Sequence, residues 1–121
     1  MFQAEVDKAQ NLLKISYAQH VGADEMKRAE ERLASLVADL RPGFRMLTDL
    51  SGLENMDLAC VPYIERAMDL CDQKGVAMVV RIIPNPQKDI GMNILSLFHY
   101  RRRVRIVTCQ TLAEAKKLLE E

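Results

Sequence analysis

Phe44–Cys60 reads FRMLTDLSGLENMDLAC, and the assignment of this stretch decides the fold. Phe44–Leu50 is rich in residues that favour extended chain and predicts a buried strand. Asp49–Asp57 gathers Asp49, Ser51, Glu54, Asn55 and Asp57, and predicts a polar turn. A helix is expected from about Leu58 to Lys74, with Asp57 as its N-cap, because a carboxylate can accept from the free N–H groups of the first turn. Pro62 removes a helical donor, so the helix is expected to begin irregularly or near Val61. Gly75 suits the C-terminal stop.

The pattern extends in both directions. Phe2, Ala4 and Val6 alternate with polar residues, as do Leu13, Ile15 and Tyr17, which predicts two half-buried strands joined by a turn at Asp7–Asn11. Met26, Ala29, Leu33, Leu36, Val37 and Leu40 recur at helical spacing. Asp24 and Glu25 fall in the first turn of that helix, where its dipole favours negative charge, and Arg41-Pro42-Gly43 stops it. Val76–Ile83 is almost wholly apolar, as in a strand covered on both faces. Pro84-Asn85-Pro86 then breaks the chain, and a helix is expected from about Pro86 to Tyr100. Arg103–Cys109 predicts a last strand, and Thr111 caps a helix through Leu119.

The order is ββαβαβαβα: a single α/β domain over residues 1–121, with four helices and a mixed, mainly parallel sheet. At 121 residues and 49% hydrophobic, the chain can bury a core without a disulfide or structural metal. Lys plus Arg and Asp plus Glu both number 17, so there is no basic excess of the kind a nucleic-acid binder carries. Neutrality here is a cancellation. Residues 42–75 sum to −3, and residues 101–105 sum to +4. No apolar run reaches the ~20 residues of a membrane span. Cys60, Cys71 and Cys109 form no C-x-x-C pair, which points to reduced thiols and a cytoplasmic protein.

In open α/β sheets ligands bind beyond the carboxyl ends of the strands, which singles out Asp49–Asp57 and Pro84–Asp89. The oxygens of Asp49, Ser51, Glu54, Asn55 and Asp57 could hold Mg²⁺ or serve phosphoryl transfer. The same residue types also make turns and helix caps for purely local reasons. On the expected helix 86–100, Ile90, Ile94, Leu97 and Phe98 share a core face, while Met92, Leu95 and His99 fall opposite. That second face fits a homodimer contact, a protein partner, the wall of an apolar ligand pocket, or simply a broad core face. Arg101, Arg102, Arg103 and Arg105 fit an anion site or a solvated helix end beside an edge strand. Cys60 could be activated by a helix N-terminus or be a buried structural thiol. His20 and His99 lie at no metal-ligand spacing. No nucleotide, hydrolase or zinc-protease motif occurs, so no cofactor, metal or catalytic residue is expected.

Phe44–Cys60 resembles the strand–loop–helix core of STAS domains, the SpoIIAA-like anti-sigma factor antagonists. Their loop reads roughly D-L-S-x-V-x-F-M-D-S-S-G. Asp49-Leu50-Ser51 and Met56-Asp57 match it. ISY at Ile15, RPGFRMLTDLSGL and NILSLFHY resemble a bacterial subgroup of SpoIIAA-like proteins without an assigned function. The resemblance implies a SpoIIAA-like fold and a non-enzymatic, protein-binding regulatory role. Its contacts would be Ser51, Asn55, Asp57, Ala59 and Cys60, with Met92, Leu95 and His99 on the later helix. The antagonists are phosphorylated on the second serine of D-S-S-G. Aligned on Met56-Asp57, that position is Ala59, so no kinase switch is expected there. The fold also resembles CRAL-TRIO lipid-binding domains, which implies a small apolar or lipid-like ligand as the alternative.

Overall fold

The computed structural model describes residues 1–84, 100 and 104–120. Five strands form one sheet in the order β1-β2-β3-β4-β5, namely Phe2–Asp7, Leu12–Val21, Arg45–Met56, Met78–Ile82 and Arg105–Cys109. β1 is antiparallel to β2, and every other neighbour pair is parallel. The helices are α1 (Ala23–Ala38), α2 (Val61–Lys74) and α3 (Leu112–Glu120), with a 3₁₀ turn at Leu58–Cys60 before α2. This is a mixed α/β sheet, as the alternation of elements predicts. The described residues hold three α-helices rather than four. The expected helix 86–100 and Arg101–Arg103 lie outside them.

The period-2 pattern gives each sheet face its own core. Leu13, Ile15, Tyr17, Met46 and Val79 face α1 and α2, where they meet Met26, Leu33, Val37, Ile64 and Met68. Leu12, Leu47, Met78, Val80 and Ile82 point the other way, onto Ala115 and Leu119 of α3. Every residue of β4 is buried, as its almost wholly apolar run predicts. Arg81 is the exception in kind: a guanidinium buried to 2% exposure in mid-strand.

The connections follow local chemistry. Asn11 closes the β1–β2 hairpin at φ 52°, a left-handed conformation that asparagine tolerates. Its side chain also ties the hairpin to the α1–β3 connection, donating to the Arg41 carbonyl (3.1 Å) and accepting from the Arg41 N–H (2.9 Å). Gly75 ends α2 at φ 96° and ψ 40°, where its N–H reaches the Asp72 and Cys71 carbonyls.

One element departs from its expected form. β3 does not stop near Leu50 but runs on to Met56, so most of the expected polar turn is strand. β2 is long enough to pair with it up to Val21↔Met56. Register shifts between Ser16 and Ala18 and between Gln19 and His20 change which side chains turn inward. As a result Leu50, Leu53 and Met56, spaced by three, all pack against the core. That spacing hides the strand from a period-2 reading.

Candidate functional site

β4 and β5 end level with Asp49, and the parallel pair β2–β3 runs on beyond them to Val21 and Met56. There the chain turns into the 3₁₀ helix and α2. Two backbone ties fix the corner: the Asp57 N–H donates to the Val21 carbonyl (3.1 Å), and the Cys60 N–H to the Asp57 carbonyl (2.9 Å). Pro62 sits in the first turn of α2, where its missing N–H costs nothing. The helix therefore starts at Val61 behind an irregular turn, as Pro62 predicts.

Of the expected site residues, Asn55, Asp57 and Ala59 lie exposed on this tip, and Ser51 is exposed further back along β3. Cys60 is fully buried, with its thiol 3.5 Å from the Val21 carbonyl. Burial and the neighbouring Asp57 carboxylate push this thiol up from its ordinary value. A helix N-terminus was the ground for expecting activation. Cys60 does stand at the N-cap of α2, but burial and the Asp57 carboxylate outweigh the pull of that helix end, and Cys60 is a packed thiol. Cys71 and Cys109 are buried and unbridged as well. Met92, Leu95 and His99 lie outside the described residues.

Asp57 occupies the N-cap position in extended conformation, but its side chain caps nothing. Its Oδ1 lies 3.4 Å from His20 Nε2, and the other ring nitrogen of His20 meets the amide oxygen of Asn55. Asp49 turns elsewhere: its Oδ1 accepts from the Ser51 N–H (2.9 Å) and hydroxyl (2.6 Å). The expected oxygen cluster is thus divided between two local networks rather than converging on one cation. Among the described residues no group of three or more His, Cys, Asp or Glu is placed to hold a metal.

Sequence reasoning missed two members of this tip. His20 looked isolated because its partners come from β3 and the following turn. Leu58 read as the first apolar residue of a helix, yet its side chain is 88% exposed. No periodic signal separates it from a core leucine.

Besides an open groove of about 510 Å³ along β1 and β2, lined by Glu5, Lys14, Arg32 and Asp49, two further cavities lie among the described residues. An open groove of about 330 Å³ runs between α1 and α2, floored by Met26, Ala29, Leu33 and Leu70, with Arg66 and Glu30 in its lining. Arg66 forms a bidentate pair with Glu30 (2.7 and 3.2 Å) and stacks over Tyr63 at 4.7 Å. A far smaller internal space of about 30 Å³ lies between Tyr17, Thr48, Arg81 and Tyr100. Burial pushes both phenols well above their ordinary value. No helix among the described residues is long and apolar enough to cross a membrane.

No family model and no curated protein matches the sequence. Solved structures do match. The anti-sigma factor antagonist SpoIIAA in its unphosphorylated form is 13% identical, with 99% of this chain and 98% of that chain covered and a TM-score of 0.68. An uncharacterised protein with a SpoIIAA-like fold from Shewanella loihica PV-4 is 14% identical, with 98% and 92% covered and a TM-score of 0.73. An anti-sigma factor antagonist from Mycobacterium paratuberculosis is 15% identical, with 100% and 94% covered and a TM-score of 0.62. Likeness at these identities speaks to architecture, and it covers the chain from end to end. The chain has the SpoIIAA-like fold of STAS domains.

Proposed function

We propose that this chain is a non-enzymatic regulatory module that binds a protein partner through the tip where β3 turns into α2. Ser51, Asn55, Asp57, Leu58 and Ala59 make the contact. The observation that carries this reading is Leu58, 88% exposed between Asp57 and Ala59. A single exposed apolar side chain is ordinary on any surface. The place of this one is what matters. It stands beyond the carboxyl ends of the parallel strands, where open α/β sheets meet their ligands. Burying a leucine against a partner contributes roughly 1.5–3 kcal/mol. The shared architecture with anti-sigma factor antagonists supports a protein as the ligand.

Ala59 stands where the resemblance places the phosphoacceptor serine, and it has no hydroxyl. Binding at this tip is therefore not switched by phosphate at position 59. Affinity capture from a bacterial lysate tests the reading, with Leu58→Asp as the control. A protein retained by the wild type and lost by the variant agrees with it. Equal retention by both contradicts it, while regulated phosphate on Ser51 by phosphopeptide mass spectrometry would reopen a kinase switch in this loop.

The α1–α2 groove favours a second reading, a carrier of a small apolar or lipid-like ligand. Its floor is apolar and its volume of about 330 Å³ lies within the range of small-molecule sites. Native mass spectrometry of the purified chain decides: a copurifying ligand displaced by Leu33→Trp supports the carrier, and a bare mass excludes it.

A further inference from the structure

We propose that His20 is a proton-operated latch between the end of β2 and the turn that opens α2. Its two ring nitrogens face two oxygens. Nδ1 meets the amide oxygen of Asn55, and Nε2 stands 3.4 Å from Asp57 Oδ1. Both oxygens can only accept. An imidazolium carries a proton on each nitrogen and satisfies both partners at once. A neutral imidazole carries one, so its bare nitrogen then faces an oxygen lone pair. The Asn55 amide must turn over to offer its NH₂, or the Asp57 contact is released.

The backbone is arranged for this meeting. The β2–β3 register shifts between Gln19 and His20, and Gln19 adopts φ 57°, a left-handed conformation uncommon for glutamine. The shift pairs His20 with Asn55 across the ladder. Gly22 keeps the space beside the pair open: a Cβ there would lie 3.4 Å from Asp57 Oδ2 and 3.7 Å from His20 Nε2.

The charged groups around the imidazole come from three elements. Asp57 belongs to the turn. Glu25 lies in the first turn of α1, 3.5 Å from the Met1 ammonium, which itself donates to the His20 carbonyl (2.7 Å). Cys60 lies beneath, a neutral thiol. With His20 neutral, Asp57 loses its cationic partner on this tip. The Asp57 N–H to Val21 carbonyl bond does not titrate and holds the turn in either state. The switch therefore moves side chains at 55–58, with the exposed Leu58 among them, and leaves the fold intact. The latch stands whether or not the tip binds a partner.

NMR on the ¹⁵N-labelled full chain over a series of pH values tests it. The amides of Asn55, Asp57 and Leu58 and the side-chain amide of Asn55 should titrate with the midpoint of the His20 ring nitrogens. Asn55→Asp should move that midpoint to higher pH, and Asp57→Asn to lower pH. The proposal is overturned if the 55–58 amides stay fixed while the ring titrates. It is equally overturned if their titration persists in His20→Gln, or if the two charge variants fail to move the midpoint in opposite directions.

Discussion

A Cβ at position 52 would stand 3.3 Å from the Cβ of Ala18, the residue that faces Gly52 across the β2–β3 ladder. Glycine is favoured here by close approach rather than by a left-handed backbone. Gly52→Val crowds the strand extension that carries the tip, and should cost about 1 kcal/mol or more. Ala18→Gly should recover much of that loss. A double-mutant cycle on urea midpoints measures the coupling. Strictly additive effects would mean that the two strands do not meet at this point.

Phe44 and Leu58 are apolar residues of the same decisive stretch with opposite fates. Phe44 is fully buried between the sheet and its helices, and Phe44→Ala should destabilise the fold by about 3–5 kcal/mol. Leu58 is 88% exposed, and Leu58→Ala should change stability by less than about 0.5 kcal/mol. Thermal and urea unfolding of the two variants separate them. A large cost at Leu58 would place its side chain in the core and remove it from the binding surface.

Burial pushes the Cys71 thiol up to about 12. A folded-state value above the unfolded one keeps the protonated thiol in the native chain while the unfolded chain ionises. The unfolded state then binds fewer protons, so stability falls as pH rises above about 9. The slope is about 1.4 kcal/mol per pH unit while only the unfolded thiol is charged. The buried phenols of Tyr17 and Tyr100 add to this loss at higher pH. Urea unfolding between pH 8 and 11 measures it. Cys71→Ala should lower stability near pH 8 and make the slope shallower between about 9 and 10, where the Cys60 and Cys109 thiols, also raised by burial, keep part of it. An unchanged slope would locate the effect elsewhere.

The architecture was legible because hydrophobic periodicity and its punctuation carried it. Leu13, Ile15 and Tyr17 announce a strand, Met26, Leu33 and Val37 a helix, and Gly75 and Pro62 mark where α2 ends and begins. The candidate site was legible only in part. Asn55, Asp57 and Ala59 do share the exposed tip, but as the end of a strand and a turn, while Ser51 lies further back along β3. The bulges of β3 let Leu50, Leu53 and Met56 turn inward at a spacing no regular strand has. The Asp57 carboxylate was read as a helix cap because local sequence supplies no rival. The structure supplies one in His20, brought across by strand pairing. Long-range pairing also explains why the burial of Cys60 against Val21 could not be read from its neighbours.

The account rests on the tip as the surface that a partner touches. A photo-crosslinking residue at position 58 tests this most directly, with the same group at the exposed Lys116 of α3 as the reference. Irradiation in a bacterial lysate should give a discrete protein adduct from position 58 and none of that mass from position 116. The adduct should fade when unlabelled wild-type chain competes, and persist when Leu58→Asp competes. The same adducts from both positions, or equal competition by both chains, would contradict the central claim.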